Sequence, residues 1–210
     1  MISKITETKL IYYYAILHFV AREDGIFLPF SYYADFFEIV RNIMKTDIFS
    51  ISPIITKNKK EVQDGLWVFK DFRVYLVSPF IESVGRNFVD FHEILNAYHE
   101  GIELSQVVLR SAPVRKTGKL LSGVFANLDG RCIDYEQSPE LFSECLRQYL
   151  LQIHKLKYGT IPDDVRFFIR LKGEIRKQKL LADRLEFFGD VQIFSSDELA
   201  KTFCEMFSLR

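Results

Sequence analysis

The stretch RVYLVSPFIESVGRN, residues 73–87, alternates apolar and polar side chains, breaks at Ser78-Pro79, and passes through a turn with Gly85 to Asn87, an ordinary helix cap. A strand therefore ends at Pro79, because proline cannot donate to a ladder. Working outward, Phe88, Phe91, Leu95 and Tyr98 recur at helical spacing over residues 87–99, Gly101 closes that run, and IELSQVVLR (102–110) reads as a strand. Residues 72–110 thus form a strand-helix-strand unit. Its strands are expected parallel, since a crossover of the opposite hand packs poorly on a twisted sheet.

Upstream, residues 7–23 read as a helix that is apolar nearly all round and closed by Asp24-Gly25. Ser31 opens a second helix with Phe36, Ile39, Val40, Ile43 and Met44 on one face. Residues 1–46 are expected to form a helical N-terminal segment and residues 47–210 an α/β domain, with a single domain as the alternative. Between them and the central unit, IFSISPIIT (48–56), LWVFK (66–70) and FRVYLV (72–77) are β-branched and aromatic runs, expected to pair antiparallel.

Downstream, residues 120–136 alternate on both sides of Asp129-Gly130, a dipeptide suited to a two-residue hairpin turn. Ser138-Pro139 opens a helix that buries Leu141, Cys145, Leu146, Tyr149, Leu150 and Ile153 and ends at Gly159. VRFFIRLK (165–172), a helix over 174–188 and VQIF (191–194) repeat the strand-helix-strand logic, and Ser195-x-x-Glu198 opens a last helix as a capping box. The expected fold class is α/β, with mixed α+β as its variant: a helical N-terminal segment packed on a mixed sheet with two strand-helix-strand units and a hairpin. No sequence repeat is present.

The 210 residues carry 28 basic and 28 acidic side chains, with 20 Phe and 10 Tyr, a composition that can bury a core. The phenylalanine excess is assigned mainly to that core, with some left for a partner protein's surface. Cys132, Cys145 and Cys204 are odd in number and lack Cys-x-x-Cys spacing, which excludes a disulfide framework and a zinc knuckle. The start MISKITETK is not a secretory signal, and the apolar run at 10–21 is shorter than the roughly 20 residues a bilayer requires. The expectation is a cytoplasmic protein without membrane association.

Neither Gly-x-Gly-x-x-Gly, a Walker loop nor a Gly-x-Ser-x-Gly elbow occurs. His92 and His99 lie two helical turns apart, roughly 10 Å, too far for one metal ion. Asp163, Asp164 and Glu174 fit the acid pattern of magnesium-dependent nucleases only loosely, because Arg176 stands where the lysine is needed. No catalytic residue, cofactor or metal ligand is assigned. Residues 72–110, a strand, Ser-Pro, helix and strand, resemble the half-unit of phospholipase D-like nucleases. That family needs His-x-Lys and then Asp, whereas here His154 is followed by Leu156, with Lys157 one place late, so the resemblance implies a degenerate member.

Charge is unevenly distributed. Residues 106–185 hold 15 Lys and Arg against 9 Asp and Glu, a balance of +6 that leaves −6 elsewhere. The candidate nucleic-acid contacts are Arg115, Lys116, Lys119, Arg170, Lys172, Arg176, Lys177 and Lys179, which can neutralise phosphates. A second candidate is an anion site of Ser78, Ser83, Arg86, Asn87 and Arg110, at a strand's carboxyl edge and a helix N-terminus. Two functions fit. One is a non-enzymatic subunit of a complex whose basic surface contacts nucleic acid or a partner protein; the other is an enzyme or sensor binding a phosphate-bearing ligand.

Overall fold

The computed structural model describes residues 10–82, 93, 101–181 and 184–210. The fold class holds in its mixed α+β form, with three helices and several antiparallel sheets among the described residues. Two of the expected helices are strands.

The first is β1 (Ile11–Ala21), which replaces the buried helix expected there. β1 is one of two inner strands of a four-stranded sheet in the order β3-β6-β1-β7, formed with β3 (Ser50–Ile51), β6 (Asp71–Val77) and β7 (Ile102–Pro113). Ala15, Leu17 and Phe19 face the helix α1 (Tyr32–Met44), while Tyr12 and Ile16 are buried on the other side. A strand with buried residues on both faces loses the polar-apolar alternation that marks a half-buried one. Its Tyr, Ile, Phe and Val content suits a pleated surface, and pairing on both edges decides the matter. The first 46 residues are therefore not a helical pair. Only α1 is helical among the described residues there, with Phe36 edge-on to Phe19 at 5.6 Å.

β6 and β7 each run antiparallel to β1, so they are parallel to one another, as expected, but β1 lies between them. The helix expected at 87–99 lies outside the described residues, apart from residue 93. LWVFK does not pair with the strand that follows it. β2 (Ile26–Pro29), β4 (Lys59–Val62) and β5 (Gly65–Val68) form a separate three-stranded sheet, with Leu28, Leu66 and Val68 in the first core.

The second correction concerns residues 174–188. β11 (Phe167–Leu181) and β12 (Arg184–Ser195) form one long antiparallel hairpin, not a parallel pair joined by a helix. Glu, Arg, Lys and Gln after Gly173 favour a helix locally, but Phe187, Val191 and Ile193 of β12 alternate into the second core and hold the partner strand extended. Gly173, at φ +69°, lies in a register shift between Lys172 and Arg176. β8 (Thr117–Lys119) pairs with the other edge of β12.

Other expectations hold, save that Leu141, expected inward on its helix, is exposed, and Phe142 takes the buried position beside it. β9 (Asn127–Leu128) and β10 (Arg131–Cys132) close around Asp129-Gly130, both at positive φ. α2 (Pro139–Tyr158) ends at Gly159, whose left-handed backbone lets its N–H reach Lys155 O. α3 (Asp197–Phe207) is capped by Ser196, one residue beyond the expected box, with Ser196 Oγ accepting from Leu199 N at 3.3 Å.

After α3 the chain returns to β8. Lys119 and Arg210 exchange two backbone bonds of 3.0 Å, and Leu120 bridges Leu209. A Cβ on Gly118 would lie 2.7 Å from Arg210 O, so only glycine allows this close approach. The second half thus reads strand, helix, strand, strand, helix, strand, with the sheet order second-third-first-fourth. The first half has the same order around β1, α1, β3, β6 and β7.

Buried apolar residues form two clusters, one per half. Tyr12 of β1 belongs to the second cluster and Phe188 of β12 to the first. Between them lies a buried polar join. Arg184 sits between the rings of Phe37 (4.4 Å) and Phe125 (3.9 Å) and donates to Glu186 at 2.8 Å. Tyr33 donates to Glu186 Oε2, also at 2.8 Å. Burial pushes the Glu186 carboxyl up from the ordinary range, against the opposing pull of Arg184 and Tyr33.

Candidate nucleic-acid interface

Directly opposed residues of an antiparallel pair share a sheet face. On the face of the first sheet away from α1, His18 opposes Arg73, Ile16 opposes Tyr75, and Tyr14 opposes Arg110. The rings of Tyr14 and Tyr75 lie 5.7 Å apart. The second half packs over one end of this face, where Tyr12 OH donates to Leu209 O and accepts from Leu209 N.

Beside that contact the two halves leave a cleft. One part, about 360 Å³, is lined by Tyr14, Arg73, Tyr75, Arg115, Leu121 and Arg210. A second part, about 640 Å³, shares Leu121 and Arg210 with the first. Its floor includes Ile54, Leu66, Leu120 and Phe188, and its cations are Lys59, Lys119, Arg176, Lys177 and Arg210, with Glu61 as the one acid among its described lining residues. Strand pairing explains this arrangement. β8 and β12 set Lys119 and Phe188 on the cleft side of the second sheet, and Arg176 opposes Phe188 across the β11–β12 ladder.

The expected basic residues separate into four groups. Arg115, Lys119, Arg176 and Lys177 line the cleft together. Lys177 also meets Glu136 at 3.0 Å and Asp134 at 3.3 Å, and these carboxylates raise the pKa of its ammonium. Lys116 is committed elsewhere, 2.6 Å from Asp197 and donating to Ser195 O. Arg170 and Lys172 are exposed on the open face of the second sheet, and Lys179 is placed opposite Leu185 nearer the hairpin tip.

Of the expected anion site, Ser83, Arg86 and Asn87 lie outside the described residues. Ser78 is buried, donating to Ile48 O at 2.7 Å and accepting from Phe80 N at 3.1 Å, so its hydroxyl holds a chain turn. Arg110 is exposed on β7, with β1 between it and β6.

Sequence reading missed Tyr14, His18, Lys59, Arg73, Tyr75 and Arg210. The first two were hidden by the misread strand. Alternation in FRVYLV does place Arg73 and Tyr75 on one face, a usable signal. Among the described residues no group of three or more His, Cys, Asp or Glu could hold a metal ion, and no helix is long and apolar enough to cross a membrane.

No known family model and no curated protein matches the sequence. Solved structures do. The chain is similar to a structure described as CRISPR associated protein Cas6, with TM-score 0.67, 14% identity and 93% of each chain covered. It is similar to the product of a Cas6-related gene from Pyrococcus furiosus, with TM-score 0.65, 17% identity, and 93% of this chain and 92% of that chain covered. A third likeness is to a structure described as an RAMP protein binding different RNA substrates, with TM-score 0.62, 17% identity, and 94% and 98% covered. The fold is that of the Cas6 and RAMP structures. The second half is a β-α-β-β-α-β unit of the ferredoxin-like type, and the described strands of the first half take the same order, which corrects the phospholipase D-like expectation for residues 72–110: β1 separates the two strands of that unit.

Proposed function

We propose that the chain binds single-stranded RNA in the cleft between its halves and works by contact, as a subunit of a larger assembly. The observation that carries this reading is the cleft itself: an apolar floor fit for bases, with Lys59, Lys119, Arg176 and Arg210 along its sides. Cations spaced along a groove neutralise successive phosphates, and aromatic rings such as Tyr14 and Tyr75 offer stacking surface. The description of one structural neighbour as an RNA-binding protein supports RNA as the polymer. A triple variant, Arg115→Ala, Lys119→Ala and Arg176→Ala, tests it. The expected result is weaker RNA binding and a salt slope shallower by about 2, at roughly 0.7 per lost phosphate contact. Unchanged affinity and slope would refute the reading.

A second reading rests on His18. With Lys57, Asn58, Asp71 and Arg73 it lines a depression of about 300 Å³, which shares Arg73 and Ile55 with the cleft. A histidine beside cations at a phosphodiester is suited to proton transfer during cleavage. On this reading the chain cleaves bound RNA, and His18→Ala abolishes cleavage without changing affinity. Intact RNA after prolonged incubation with the native protein would leave the contact reading alone standing.

A further inference from the structure

We propose that the open end of the second sheet is a base-stacking platform that continues the cleft's RNA track. This rests on the cleft being an RNA site and adds a second, sequence-tolerant contact outside it.

The strand register defines the platform. On the face of β11 and β12 away from α2 and α3, Phe168 opposes Phe194, Arg170 opposes Gln192, and Lys172 opposes Asp190. β8 extends two of these rows, placing Thr117 beside Gln192 and Lys119 beside Asp190. Towards the hairpin tip the same face is covered, because Phe188 enters the first core and Glu186 bonds Tyr33. At the other end it is open. The second core takes Ile169, Leu171, Val191 and Ile193 from the opposite face. Phe168 and Phe194 therefore are not needed to fill it.

Phe194 is 43% exposed, and its ring lies 6.1 Å from that of Phe168. Arg170 stands over Phe194 with its guanidinium carbon 5.7 Å from the ring centre. Two adjacent rings, Phe194 exposed and Phe168 half-buried, stand beside Arg170, Lys172 and Lys119, with Asp190 as the single acid among the six residues of β11 and β12 at the open end of this face, and match a ligand with flat apolar groups on an anionic backbone. Four-stranded sheets that stack two or three bases on exposed aromatics show that this geometry binds single-stranded RNA. Lys119 belongs both to this face and to the cleft wall. From the row of Lys119 to that of Phe194 is four residues of strand, about 13 Å, a distance one strand of RNA spans readily.

The test uses the full chain and a fluorescein-labelled 12-nucleotide uridine-rich RNA, measured by anisotropy at several salt concentrations. Phe168→Ser with Phe194→Ser should weaken binding about five- to a hundredfold and leave the salt slope unchanged, since stacking releases no counterions. Tyrosine at both positions should restore affinity, and an oligonucleotide carrying abasic sites should bind the native chain as weakly as RNA binds the serine variant. A second readout is independent of that variant's folding. Phe194→Trp in a Trp67→Phe background leaves one tryptophan, whose emission should be quenched as RNA saturates.

Equal affinity of native and serine chains, or no quenching, overturns the platform. If the cleft triple variant still loses binding, the cleft reading survives that result. If native binding is unaffected by cleft and platform variants alike, the cleft reading itself fails. Loss of a protein contact in the serine variant with RNA affinity intact would assign this face to a protein and overturn the proposal.

Discussion

The two halves share one topology and build it from opposite resources. In the first, β1 pairs along its whole length with β7, while the second strand, β3, has only two residues and the connection to β6 carries the inserted β4 and β5. In the second, β11 has 15 residues and β12 has 12, while β8 has three and the last strand is reduced to the pairing around Leu209 and Arg210. Strand order and direction define the unit; strand length is spent where it does other work. Each half's long strands reach across to the other half, Tyr12 from β1 and Phe188 from β12. The join and the cleft beside it are consequences of that exchange.

The strongest way to break this comparison is to empty one core at a time. Phe19 and Phe142 are fully buried, one in each cluster. Phe19→Ala and Phe142→Ala should each cost about 4 kcal/mol in urea unfolding, as expected for a buried Phe truncated to Ala. If the exchanged aromatics couple the halves, either variant unfolds in a single transition. Two transitions with different midpoints would show the halves to be independent.

Next in size is the join itself. Glu186→Ala strands the Arg184 guanidinium without its carboxylate and should cost about 3 kcal/mol. Replacing both partners, Arg184→Met with Glu186→Leu, should recover most of that loss. The native pair also predicts a pH trend. The folded-state pKa of Glu186 is raised, so the folded chain keeps a proton that the unfolded chain releases. This group's contribution is full below the ordinary glutamate range and falls as pH rises through the raised value. Glu186→Gln should flatten that part of the stability profile.

Much of the architecture was legible in the sequence because it depends on local chemistry. Asp129-Gly130 makes its hairpin because two positive φ values are needed there, and α2 runs from Pro139 to Gly159 because each end carries its own stop signal. The parallel sense of β6 and β7 was legible too, from the change of period between them. The strands β1 and β11–β12 were misread for one physical reason: their conformation is imposed by distant pairing. β1 carries apolar residues on both faces because α1 covers one and the second half covers an end of the other, and the charged run after Gly173 would suit an exposed helix if β12 did not pair with it. For the candidate site, charge clustering found Arg115, Lys119 and Arg176. Arg73, Arg210 and Lys59 come from separate segments that only the fold brings to one cleft.

A smaller effect separates the hairpin insertions. Gly130 has φ +75°, and a Cβ added there would meet nothing within 4 Å, so its substitution by alanine meets only backbone strain. Gly130→Ala should cost about 1–2 kcal/mol, the usual penalty for a Cβ in the left-handed region. Because β9 and β10 lie at the surface, RNA affinity should not change. A measured cost near zero would show that this hairpin frays without affecting the second core.

The smallest effect compares two helix starts. Ser196 has the extended backbone of a cap, φ −58° and ψ 163°, and its hydroxyl accepts from Leu199 N. Ser31 has helical angles, φ −66° and ψ −15°, makes no side-chain cap bond, and instead donates to Asp35 at 3.4 Å. The same residue type thus occupies the same topological position, before a helix, with different consequences. Ser196→Ala removes the acceptor for a first-turn N–H and should cost about 1 kcal/mol. Ser31→Ala removes only an exposed hydroxyl contact and should stay within about 0.5 kcal/mol. Thermal unfolding of the two variants reads the difference directly. Equal shifts would mean that the cap at Ser196 contributes no more than the surface bond at Ser31, and that α3 is held by its buried face of Leu199, Phe203 and Phe207 alone.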